Sequence, residues 1–225
     1  MLSYADSLPD STRKKFRIYA YASTWFGCFA EVMLNSSAIL ILYLTMLGAN
    51  NTLIMLSTGM AGFCSMILLI PASGFVDKFG PKKMVRFSCY LGCVSYLLAA
   101  LAPFFGKVSA QYIVLAGCFF FCLSTPLFTA AWYPILADIL KTSERGNFFG
   151  FMRFSYYILS GCVFALLGVF MGENPPLYFL QIVIGVTGVL MLGRLYFISK
   201  ITLGEHELVK YDLKNAFKTS IKNSP

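Results

Sequence analysis

One acid stands in the middle of a long apolar run. Glu31 lies in "GCFAEVMLNSSAIL", about midway between Arg17 and Leu47, with no other charge between them. At about 1.5 Å per residue, a helix over this run puts Glu31 near the centre of a lipid bilayer. A charge there costs about 2.5–3.5 kcal/mol on insertion scales, so an intramembrane carboxyl points to a solute or proton pathway. Asn35 follows one helical turn on, and Gly27 and Thr24 precede by one and two turns, so all four share a helix face. No Lys or Arg is expected at that depth, because Arg194 reads with Lys200 as the basic close of the last apolar run. Glu31 is therefore expected to carry a proton for part of a working cycle, as in a proton-coupled carrier. Further pathway candidates are Thr125 and Thr129, near Ser124, Pro126, Trp132, Tyr133 and Pro134, then Tyr156, near Arg153, Tyr157 and Ser160, and Gln181. Hydroxyl, amide and aromatic groups on otherwise apolar helices are what a small solute would meet in crossing.

The elements that must position these groups follow from composition. The chain has 225 residues, 58% hydrophobic and only 12% charged, with mean hydropathy +0.71. Soluble domains carry about 25% charged residues. The deficit is concentrated in charge-free windows long enough to cross ~30 Å of hydrocarbon. Six spans are expected, at about Ile18–Leu47, Leu53–Phe75, Met84–Phe105, Tyr112–Leu140, Phe148–Met171 and Leu177–Ile201. The runs are continuously apolar and lack period-two alternation, so they predict helices and not a barrel. The fold expected is an all-α membrane protein: a segment over 1–17, a six-helix bundle over 18–201, and a tail over 202–225.

The net charge of +8 does not imply nucleic acid, because the cations alternate by loop. Counting sides in turn puts every Lys and Arg except Lys107 on one face. The positive-inside rule then places both termini in the cytoplasm. In the tail, Val209, Leu213, Phe217 and Ile221 run beside Lys210, Lys214, Lys218 and Lys222, the pattern of a basic amphipathic helix on a lipid surface or a solvated tail. The seven cysteines all lie in apolar runs without a CxxC pair and read as packing residues. Small-residue sets at Gly59 and Gly62, at Gly161, Ala165 and Gly168, and at Gly185 and Gly188 predict close helix contacts. The sole histidine is His206 in the tail, and no span gathers a catalytic or metal-binding cluster, so neither enzyme, cofactor nor metal is expected.

The connection "SGFVDKFGPKKM" carries more than the positive-inside effect requires. Its acid, Asp77, sits among Lys78, Lys82 and Lys83, and Gly80 suits the positive φ of a tight turn. The set Gly74, Asp77, Lys78, Gly80, Lys82, Lys83 resembles the loop between spans two and three of the major facilitator superfamily. Here Lys78 replaces the usual Arg and Pro81 the first basic position after Gly80. "PILADILKTSERGNFFGFMR", with Asp138, Glu144, Arg145 and Gly146, is similar to that family's four-to-five connection. The resemblance covers essentially the whole chain and implies the N-terminal six-helix half of a twelve-span transporter, the tail starting a linker to a second half.

By that resemblance, Asp77 belongs to a cytoplasmic gate with Gly74, Lys78, Gly80, Lys82, Lys83 and Arg145, and would pair with Arg145 or a nearby Lys. The Gly-Pro pair of the family's antiporter motif is absent from "ILSGCVFALLGVF". The function implied is secondary transport of a small solute by alternating access, coupled to protons through Glu31. The alternative is a non-transporting scaffold or an inactive fragment. Expected partners are the bilayer, an unidentified small molecule, and a second six-span half or second copy. The short N-terminus and small loops suit a bacterial inner membrane.

Overall fold

The computed structural model describes residues 8–35 and 38–204, apart from the side chains of Leu34 and Asn35. Its helices are α1 (Asp10–Asn35), α2 (Ala38–Met46), α3 (Asn51–Phe79), α4 (Pro81–Leu101), α5 (Lys107–Ile139), α6 (Arg145–Met171) and α7 (Leu177–Ser199). Short 3-10 turns at Ala102–Phe105 and Thr142–Glu144 continue α4 and precede α6. The described residues contain no strand.

Helices α3 to α7 are each long and apolar enough to cross a membrane. The first span differs from expectation. It is not one rod over Ile18–Leu47: α1 and α2 stand at 47° to one another, as in a broken span or a re-entrant loop. Counted as one, the pair completes six spans.

Local chemistry sets the boundaries. Asn50 caps α3, its side chain accepting from the Leu53 N–H at 2.9 Å. Gly80 ends α3 and precedes α4 with φ +84°, the positive value expected from sequence. Pro81 stands at the first position of α4, where a missing N–H costs nothing. That is a structural reason for proline in a loop position where a cation was expected.

Helix α4 is central, packed along both α5 and α7. Polar groups tie the bundle through helix carbonyls, each a satisfied donor in an apolar interior. The Tyr43 hydroxyl donates to the Ala99 carbonyl at 2.9 Å, and that of Tyr96 to the Ala30 carbonyl. Gln181 and Gln111 donate to the carbonyls of Ala100 and Leu47. By contrast, α6 rests mainly on α1, and apolar crevices of about 490 and 800 Å³ lie along its two sides.

The close contacts use one of the expected glycine sets and several other glycines. Of the expected sets, Gly185 and Gly188 meet a neighbour, α4, Gly185 at Ala100 and Gly188 tightly at Tyr96 and Cys93. Gly59, Gly62, Gly161 and Gly168 face open space. Gly117 against the Ser95 carbonyl, Gly193 against the Phe26 ring and Gly27 against Arg194 are further tight approaches. Cys28, Cys64, Cys89, Cys93, Cys118 and Cys122 are buried free thiols, and Cys162 is exposed.

Candidate functional site

Helices α1 and α7 run antiparallel. Tyr19 packs on Phe197, Gly27 on Arg194, and Phe29 and Met33 share a crevice with Val183 and Thr187. Side chains on a helix lean toward its N-terminus. In an antiparallel pair those leans are opposed, so Glu31 on α1 and Arg194 on α7 converge although their backbones stand at different levels. The Arg194 Nη1 donates to Glu31 Oε1 at 2.8 Å.

This overturns the expectation that no cation reaches Glu31. Counting by Cα position left Arg194 at the basic end of its span, while its long side chain reaches back along the bundle. Gly27 makes the passage possible: a Cβ there would fall on the guanidinium. Charge-assisted pairs of this length are the strong ones.

The pair has further neighbours. The Arg194 guanidinium lies over the Phe128 ring at 3.4 Å from its centroid, a cation–π contact from α5. The Tyr156 hydroxyl of α6 donates to Glu31 Oε2 at 3.3 Å. Close by, the Trp25 indole N–H donates to Ser155 Oγ at 2.9 Å, fixing α6 on α1. Arg194 is only 6% exposed at its side chain, Glu31 26%. Its Nε is buried with no hydrogen-bond partner.

A cavity of about 80 Å³ opens beside the pair, drawing its walls from α1, α5, α6 and α7. It gathers Thr24, of the Glu31 face, with Glu31, and brings to them Thr129, Trp132, Tyr133, Arg153 and Tyr156 from other helices. Thr125 does not join; its hydroxyl turns back to the Phe121 carbonyl of its own helix. Gln181 is spent on the α4 carbonyl of Ala100. The Asn35 side chain lies outside the described residues. Sequence reasoning put Gly27 on the Glu31 face without its role and missed the part of Arg194 and Phe128; the available signal was an arginine inside the apolar run "LMLGRLYFI".

The loop residues form a second polar centre with a different acid. Asp77 is exposed and makes no ion pair among the described residues, so the expected Asp77–Arg145 pair is not formed. Gly74 is buried, Lys78 and Lys83 are exposed, and Lys82 is half-buried. The acid that collects cations is Glu144, 3.6 Å from Arg13 and 3.7 Å from Arg17. Arg13 also binds Asp10 at 2.6 Å. Arg145 is half-buried beside them in sequence, its Nε without a hydrogen-bond partner. Beyond α7, the Gly204 N–H donates to Asp138 Oδ2 at 3.1 Å, tying that segment to the end of α5. The amphipathic pattern at 209–222 lies outside the described residues.

The family model described as Major Facilitator Superfamily matches residues 21–218. No curated protein and no solved structure matches the chain.

Proposed function

Because the chain belongs to the major facilitator superfamily, an integral multi-pass membrane protein of transporter type, we propose that it moves a small solute by alternating access through the cavity at Glu31 and Arg194. One observation carries this reading: an acid and an arginine are joined at 2.8 Å among apolar helices, beside a cavity that four helices build. A buried pair of this kind is weak as a stabilising device, since well-packed apolar residues would serve as well. Its value is that it can be made and broken.

Protonation of Glu31 would neutralise the carboxylate and release Arg194, which gives a proton a means to bias the bundle between two arrangements. The Glu144 cluster, linking the start of α1 to the α5–α6 connection, supplies a second separable contact at one end. The distribution of cations among the loops supports a cytoplasmic side for both termini by the positive-inside rule. A second six-span bundle, either another unit or a second copy of this chain, faces this one across the solute path and provides the surface against which it rocks.

The test is uptake of radiolabelled carboxylate, amine and neutral solutes into proteoliposomes at imposed pH gradients. Wild type should accumulate a solute in proportion to the pH gradient, and Glu31→Gln should lose that proton dependence. Equal gradient-driven uptake by both proteins would remove Glu31 from the coupling step, and no uptake of any solute would favour a non-transporting scaffold.

A further inference from the structure

Resting on the transporter reading for its setting, we infer that the cavity takes a solute bearing one carboxylate on an apolar or aromatic body, with Arg194 and Arg153 as its recognising groups. The charges lining the cavity are two guanidinium groups, Arg153 and Arg194, against the single carboxylate of Glu31. The walls are thus one positive charge in excess, and a monoanion balances them.

Arg194 also has capacity to spare. Of the five N–H donors a guanidinium carries, Glu31 takes one, and no other hydrogen bond to Arg194 is formed among the described residues. The side chain is 94% buried by the same measure that leaves 6% exposed, and its Nε is unpartnered. A buried cation held by one hydrogen bond is under-satisfied, which is costly in an apolar interior unless a ligand completes the set. Phe128 behind the guanidinium and Gly27 beside it hold the plane in place, so its fork meets an incoming carboxylate preorganised.

Arg153 stands on α6 one turn before Tyr156, exposed and free of ion pairs among the described residues. It suits first capture of the anion at the mouth. The volume of about 80 Å³ admits a carboxylate with a few further atoms, and Trp132 and Phe149 line the way for the apolar remainder. Glu31 then acts as the internal competitor that an entering carboxylate displaces from Arg194.

The test uses the full chain in nanodiscs of phosphatidylcholine alone, which keeps anionic headgroups out, titrated calorimetrically with benzoate, benzylamine and benzyl alcohol. Benzoate should bind saturably and at least about tenfold more tightly than the other two. Glu31→Gln, which removes the competitor, should tighten benzoate about tenfold, and Arg153→Gln should weaken it by a similar factor. A merely structural ion pair predicts the reverse sign for Glu31→Gln.

Benzylamine binding as well as benzoate, no saturable benzoate binding, or benzoate binding indifferent to both substitutions each overturn the inference. Arg153 is exposed, so Arg153→Gln keeps the test decisive even if Glu31→Gln does not fold. Benzoate binding without uptake of any solute into proteoliposomes leaves the anion site standing and removes the transport reading. Uptake of an amine or neutral solute, without benzoate binding, does the opposite.

Discussion

Two acids in this protein are each held by arginine, and their contacts differ in length and number. Glu31 meets Arg194 at 2.8 Å between packed helices, with the arginine almost wholly buried. Glu144 meets Arg13 and Arg17 at 3.6 and 3.7 Å, its own side chain 29% exposed. The first contact is short and single, made by an arginine that reaches Glu31 from within the bundle. The second is longer and shared between two cations, of which Arg17 is 28% exposed. The same two functional groups thus make one short, directional contact in one place and two longer, shared ones in the other.

That contrast predicts a ranking, readable as thermal unfolding midpoints of the purified protein in mild detergent. Arg194→Met should have the largest effect, about 3–5 kcal/mol, because it leaves Glu31, half-buried among apolar helices, without its cation. The double variant Glu31→Gln with Arg194→Met should recover most of this loss. If Arg194→Met cost no more than Arg17→Gln, the distinction between the two regions would be broken.

Gly27→Ala comes next, at about 1–3 kcal/mol, since the added Cβ displaces the guanidinium from its seat. Ala substitution at Gly59, which faces open space, is the matched control and should be neutral or slightly stabilising. Tyr156→Phe removes a 3.3 Å hydrogen bond to Glu31 and should cost about 0.5–1.5 kcal/mol. Smallest is Glu144→Gln, about 0–1 kcal/mol. Its effect should shrink as salt is raised toward about 1 M, where screening acts over roughly 3 Å, while that of Arg194→Met should not. A salt-sensitive Arg194→Met and a salt-insensitive Glu144→Gln would invert the comparison.

Much of the site was legible because it depends on helical period. Thr24 and Glu31 share a face of α1 by spacing alone, and Thr129 and Tyr156 were singled out as polar groups on apolar helices; all four line one cavity. The turn at Gly80 was legible because only a residue without a Cβ takes that backbone readily. The pairing of Arg194 was not, since it depends on two helices distant in sequence leaning toward each other. Nor could sequence say which glycines pack. Gly59 and Gly193 look alike in an apolar run, and only the neighbour's position separates open space from the Phe26 ring. Thr125 and Gln181 look equally eligible for a pathway, yet each finds a carbonyl to satisfy it. Asp77 follows a family motif without an ion pair in this arrangement, because Glu144, not Asp77, lies within reach of arginines.

What this sequence determined by itself is its solvent and its partition: long charge-free runs must leave water, helices must satisfy their own backbone there, and cations must gather in the connections. Those are consequences of local composition and need no knowledge of neighbours. Only the tertiary structure decided which charge answers Glu31, because that depends on the antiparallel approach of α1 and α7 and on the missing side chain at Gly27. An ion pair in a low-dielectric interior is a matter of ångströms between distant residues, and no count along the chain measures that distance.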